Sequence, residues 1–316
     1  MKPTRPLPMF AALFLAAACI LHPAAVPSPE PGRTDTPPIP QNTPAASREP
    51  ATSTPTPTLP STPTSLPTPA VPAGFFPIVA GNAYNLRTAT LLGGTENGNW
   101  IDASAAAARM SGGEVYSLYS PEGLIGAASG TKPERDEICR TYILQWEPAP
   151  ANAPVIGTGG DWNALPRAAE DLGTGGETHR SVVRDWWAAQ GHPDAEIFLT
   201  RVLRADLDGD GTSEELIGAT RMSEPTGHNV EAGDYSVVLL YRAAGPLILR
   251  LAGEYYPAAK EFAFPETFSP SAVMDLNGDG RMEVIVDASR WEGGGTLVFA
   301  FDGSGASKIF DGVCSR

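Results

Sequence analysis

"RADLDGDGTSEELIGAT" (residues 204–220) sets Asp206, Asp208 and Asp210 on alternate positions, turns at Gly211 and runs straight into an apolar stretch. "VMDLNGDGRMEVIVDAS" (273–289) repeats the pattern with Asp275, Asn277, Asp279 and Gly280. Counting the first aspartate as position 1, both loops bring oxygens at positions 1, 3 and 5, a backbone carbonyl at 7 (Thr212, Arg281) and an acid at 9 (Glu214, Glu283). Calcium is a hard cation that takes six to eight oxygens, and this spacing lets a tight loop turn successive oxygens inward while glycine makes the bend. Magnesium, which prefers a rigid octahedron and keeps several waters, suits the pattern less well. The competing reading is an Asp/Asn/Gly turn whose side chains bond only their own backbone.

The residues after each loop decide the fold class. An EF-hand needs glutamate at position 12 and a helix beyond it, but Ile217 and Val286 stand there inside β-branched runs. Each loop therefore joins two strands. The first unit reads as strands over 195–205, 215–220, 235–242 and 247–253, and the second as strands over 269–274, 283–289, 296–301 and 307–312. Each is expected to be a four-stranded antiparallel meander. The chain resembles, at these residues, the FG-GAP calcium-binding repeats of the integrin α propeller and the related VCBS repeats of bacterial surface proteins. "ELIGAT" keeps the glycine and alanine of the family's Gly-Ala-Pro motif at Gly218 and Ala219, with Thr220 for the proline, while "EVIVDAS" departs further. The resemblance implies propeller-blade-like units and bound Ca²⁺, and it covers about 195–312. Two blades do not close a propeller, so either the strands before residue 147 complete a smaller assembly or this is a propeller-derived β-domain.

Working outward, the helix "THRSVVRDWWAAQG" (178–191) precedes the units, with Thr178 as its expected N-cap and Gly191 and Pro193 ending it. Val182, Val183, Trp186 and Trp187 form an apolar stripe, expected to pack on a sheet; ligand stacking by the tryptophans is the alternative. Residues 75–177 are expected to form a β-rich N-terminal subdomain, with strands near 84–92, 114–119, 123–128 and 141–146. A short helix is expected over 102–110, and a long connection over 147–176. The fold class is mainly β, with one or two helices.

Residues 1–22 carry Lys2, Arg5 and the apolar run "MFAALFLAAACIL", the plan of an export signal. Small residues precede Cys19 as in bacterial lipoproteins, which makes lipidation of Cys19 the expectation; simple cleavage near "HPAA" is the alternative. From Pro23 to Pro72 the chain has 16 prolines, 10 threonines and no aromatic residue, so residues 23–74 read as an extended linker. Beyond Pro72 there are 33 acids against 18 Lys and Arg, a balance of −15 that disfavours nucleic acid and anionic membrane as partners. Cys139 and Cys314 are an even pair for an oxidising compartment and are expected to be bridged; two buried thiols are the alternative.

No catalytic constellation emerges, since the four histidines are scattered and no phosphate loop or nucleophile elbow is present. The expected function is a non-enzymatic, calcium-binding, surface-anchored β-domain in adhesion or ligand binding. Its partner would be a glycan or a protein, met through the loops 221–234 and 290–295, with Trp291 as the aromatic to test. The competing class is an exported hydrolase with an acid/base pair drawn from Asp161, Glu170 or Glu177.

Overall fold

The computed structural model of the chain describes residues 71–314 except 83–84, 153–155, 225–226 and 292. The expected signal segment, Cys19 and the linker up to residue 70 lie outside the described residues. Among the described residues no helix is long and apolar enough to cross a membrane.

The first half contains β1 (Phe75–Gly81), β2 (Thr88–Glu96), β3 (Asn99–Asp102), α1 (Ala103–Ala107), β4 (Val115–Ser120), β5 (Gly123–Gly130), β6 (Glu134–Arg135), β7 (Tyr142–Glu147) and β8 (Ile156–Thr158). The antiparallel pairings β2–β1–β8–β4–β5–β7 return from β7 to β2, which closes a six-stranded barrel, with β3 added along β2 and β6 along β7. Period-two alternation divides its apolar residues. Val79, Leu91, Leu118 and Leu144 fill the interior with Tyr116 and Trp146. Their neighbours Ile78, Ala80, Leu92 and Tyr119 face outward into a second cluster.

Three expectations change here. The helix over 102–110 shrinks to α1, capped by the Asp102 carboxylate, which accepts from the Ala105 N–H at 2.7 Å. Arg109 and Met110 continue it only by three-residue turns to the Ala106 and Ala107 carbonyls. The strand near 84–92 begins at Thr88, and β1, apolar on both faces, shows none of the alternation that marks a strand with one wet side. The connection over 147–176 contains β8, three buried residues that seal the barrel between β1 and β4, and β9 (Glu170–Asp171).

The second half follows the expected plan. Helix α2 (Glu177–Ala189) leads into β10 (Leu199–Ala205), β11 (Glu214–Arg221), β12 (Asp234–Arg242) and β13 (Leu247–Tyr256), with β9 on the edge of β10. A second meander comes next, with β14 (Thr267–Met274), β15 (Glu283–Arg290), β16 (Gly293–Phe301) and β17 (Ala306–Asp311). One face of the first meander, with Val202, Ile217, Val237 and Leu239, packs on Val183 and Trp187 of α2. The tryptophan stripe is thus core. Its other face, with Leu203, Leu216, Val238 and Leu240, packs on Val273, Val284, Val286 and Phe299 of the second. The far face of the second, with Ala272, Met274, Ile285 and Val298, packs on the outside of the barrel. Strands covered on both faces explain the near-continuous apolar runs of β12 and β15. Thr178 is not the cap of α2: Gly176, two positions earlier, stands at the N-cap, and its backbone N–H donates to His179 Nδ1 at 3.0 Å.

Candidate metal centres

The strand registers Ala205↔Glu214 and Met274↔Glu283 place both acidic loops at the same end of their meanders. Inside them the same five hydrogen bonds recur. The Asp206 carboxylate accepts from the N–H groups of Gly209 (2.8 Å) and Gly211 (3.2 Å), and that of Asp275 from Gly278 (2.7 Å) and Gly280 (2.9 Å). Asp208 accepts from the Asp210 N–H and Asn277 from the Asp279 N–H. Asp210 accepts from the Thr212 N–H and Asp279 from the Arg281 N–H. Glu214 and Glu283 reach back to the N–H groups of Leu207 (3.0 Å) and Leu276 (2.8 Å). The backbone takes φ of 87° at Gly211 and 84° at Gly280, which only glycine adopts without strain.

These bonds leave acceptor oxygens over. In the first loop Asp206, Asp208 and Asp210 each bring a carboxylate oxygen within 4.8 Å of the other two. Arg167 stands at the margin of that group, 4.0 Å from Asp206. Glu214 lies outside it. It is 1 % exposed, and its Oε1 has no hydrogen-bond partner; Arg242, 3.7 Å away, is too distant for one. Burial pushes the Glu214 carboxyl up, and the charges of Asp208 and Asp210 push it further. The second loop is more enclosed, with Asp275, Asn277 and Glu283 all buried. Burial raises Asp275 to about 6, against the pull of the Gly280 and Gly278 N–H groups, and lifts Glu283 well above the carboxylate range. Here the Asn277 amide also donates to Asp279 at 3.1 Å.

A segment that carried no sequence signal ties the two loops together. Trp162 Nε1 donates to the Asp275 carbonyl at 2.8 Å, Arg167 Nε to the Asp206 carbonyl at 2.6 Å, and the Ala164 carbonyl accepts from the Asp275 N–H. Residues 162–167 thus form a strap across both loops, and the Met282 N–H donates to the Leu207 carbonyl between them. Trp162 lies 113 residues from its partner, so spacing could not reveal it. The β16–β17 turn comes close as well: a side-chain carbon at Gly303 would lie 2.9 Å from Asp208 Oδ2.

The acids of the hydrolase reading are surface groups. Asp161 is exposed, Glu170 pairs with Arg204 at 3.4 Å, and Glu177 pairs with Arg180 and Arg184 on the outside of α2. Cys139 and Cys314 form a disulfide, Cα atoms 4.6 Å apart, which joins the β6–β7 turn of the barrel to the segment after β17. Compared with protein-family models, curated proteins and solved structures, the chain finds no match.

Proposed function

We propose that both loops are Ca²⁺ sites of the FG-GAP/VCBS type, in a non-enzymatic β-domain that is exported, lipid-anchored at Cys19 and used for ligand binding. The observation that carries the calcium reading is the first loop, where three carboxylates lie within 4.8 Å of one another. A turn stabilised only by its own backbone accounts for the five repeated bonds but not for the crowding of three like charges; buried Glu214, whose Oε1 has a long ion pair to Arg242 and no hydrogen bond, is a further acceptor in the same loop. Asp206, Asp208, Asp210, the Thr212 carbonyl and Glu214 would hold the first ion, and Asp275, Asn277, Asp279, the Arg281 carbonyl and Glu283 the second. Bound Ca²⁺ would supply the positive charge that lets like-charged groups stay crowded. Support for the family reading is that each loop joins the first two strands of a four-stranded meander, at matching register.

Calorimetry and thermal melting on calcium-depleted full-length protein test this. Two binding events are expected, with the Asn277 loop the weaker because it carries one less charge. Stability should rise by about 2.7 kcal/mol when free Ca²⁺ is a hundred times the dissociation constant. Asp206→Ala and Asp275→Ala should each delete one site, and the double variant should melt independently of calcium. No heat on titration, with melting unchanged by chelator, would leave ordinary hydrogen-bonded turns.

A further inference from the structure

At the end of the two meanders opposite the acidic loops, three connections converge: β11–β12, β13–β14 and β15–β16. They bring together His228, Phe262, Phe264 and Trp291. His228 stacks on Phe262 with ring centroids 4.9 Å apart and planes 16° from parallel, while Phe264 lies 6.1 Å and Trp291 5.9 Å from the same imidazole. The rings are not covered: Phe262 is 64 %, Phe264 48 % and Trp291 53 % exposed. The backbone beneath them is held firmly. The His228 carbonyl accepts from the N–H groups of Ala263 and Phe264, Asn229 Oδ1 accepts from Phe262, and Val230 and Lys260 exchange a pair of bonds.

Phe262 and Phe264 also have φ of 51° and 48°, the left-handed region that bulky residues avoid. Strain of this kind persists where the surroundings over-determine it and clusters at ligand clamps. Two phenylalanines are kept there with most or half of their surface in water, so burial does not offset the strain. From this shelf we infer a carbohydrate-binding site, in which the apolar faces of a neutral oligosaccharide stack on Phe262, Phe264 and Trp291. The inference deepens the ligand-binding half of the proposed function and is independent of its calcium half.

Three observations select this occupant. His228 lies face to face with Phe262 and fills the centre of the cluster, with Phe264 tilted and Trp291 edge-on around it, so the surface left for a ligand is the outer side of the three exposed rings. Roughly half of three aromatic side chains amounts to about 300 Å² of exposed surface, well below the ~800 Å² per partner of a stable protein interface. A balance of −15 beyond Pro72 opposes polyanions and anionic lipid. The shelf also lies away from the start of the described chain, where Pro72 packs against Gly278 of the second acidic loop at the other end of the strands.

The test titrates calcium-saturated full-length protein with hexasaccharides of β-1,4-glucose, α-1,4-glucose, β-1,4-mannose and β-1,4-N-acetylglucosamine. Parallel arms use phosphatidylcholine vesicles, a peptide of residues 50–69, and sedimentation of the protein alone. At least one hexasaccharide should bind. Trp291→Ala and Phe262→Ala should each weaken it about tenfold or more, the range expected for loss of one stacking ring. Phe264→Gly should weaken binding without lowering the melting temperature. The calcium response of all three variants should match the parent's. Absence of saccharide binding, or binding indifferent to these substitutions, overturns the proposal. So does loss in the same variants of vesicle binding, peptide binding or self-association in place of saccharide binding. A missing calcium response with saccharide binding intact would instead count against the metal reading alone.

Discussion

Asp275 shows how a single buried carboxyl links the loops to pH. In the folded chain its pKa is raised to about 6, whereas in the unfolded chain it titrates near the ordinary value of about 3.9. The folded state therefore holds its proton more tightly. That contribution to stability is fully present below about pH 4 and is lost as pH rises through about 6. Glu283 shifts in the same direction. Calcium-free protein should thus gain melting temperature when the pH falls from 7.5 to 5, and Asp275→Asn should flatten that gain. Calcium-saturated protein should show the opposite slope, since protons then compete with the ion. An Asp275→Asn slope identical to the parent's in calcium-free buffer would contradict this account.

At the scale of elements, the strap over 162–167 is the part whose role is testable without touching a proposed ligand residue. Trp162→Phe keeps the ring but removes the bond to the Asp275 carbonyl, and should cost about 1–2 kcal/mol, the penalty for an unmade bond at a buried acceptor. On the proposed calcium reading, the affinity of the second loop should drop with it, while the first loop, held by Arg167, keeps its own. Melting and calorimetry on the variant separate the two effects. This scale also shows what was legible in the sequence. All eight strands of the two meanders, α2 and both loops carried local signals: apolar runs bounded by turn residues, a 3.6-residue stripe, and carboxylates at fixed offsets. β1 and β8 did not, because one is apolar on both faces and the other is three residues long. The strap and the aromatic shelf were invisible for a different reason. The strap lies far in sequence from the loops it spans, as the members of the shelf do from one another, and only the stacking of meander on meander and meander on barrel brings them together. Of the shelf, Trp291 and the loop 221–234 stood out as variable-loop candidates; Phe262 and Phe264 did not.

Across the described residues, taken together, the packing runs helix, meander, meander, barrel, with an apolar cluster at each contact. The barrel is covalently fastened to the segment that follows the last strand. The bridge encloses a loop with a sequence separation of 175. In the chain-entropy description its removal should cost about 4–5 kcal/mol, less where the reduced unfolded chain keeps structure. Cys139→Ser with Cys314→Ser should lower the melting temperature in non-reducing buffer and abolish the effect of reductant on the parent. If the double variant melts with the parent, the bridge contributes nothing to the folded state.

The same bridge governs how the domain behaves as a mechanical element. Consider tension applied between Val71 and Trp291. The chain from Val71 leads into β1 of the barrel and Trp291 directly follows β15, so both the barrel and the second meander stand in the path of the load. Once they yield, the bridge limits how far the chain extends. The shortest covalent route runs 68 residues from Val71 to Cys139, crosses to Cys314 and returns 23 residues to Trp291, against 220 residues when the bridge is reduced. At about 3.5 Å per residue the intact tether extends roughly 320 Å and the reduced one roughly 770 Å. Single-molecule pulling with handles at these two sites should show that difference on adding reductant, so that the bridge works as an overload stop, holding more than half of the tether's length in reserve.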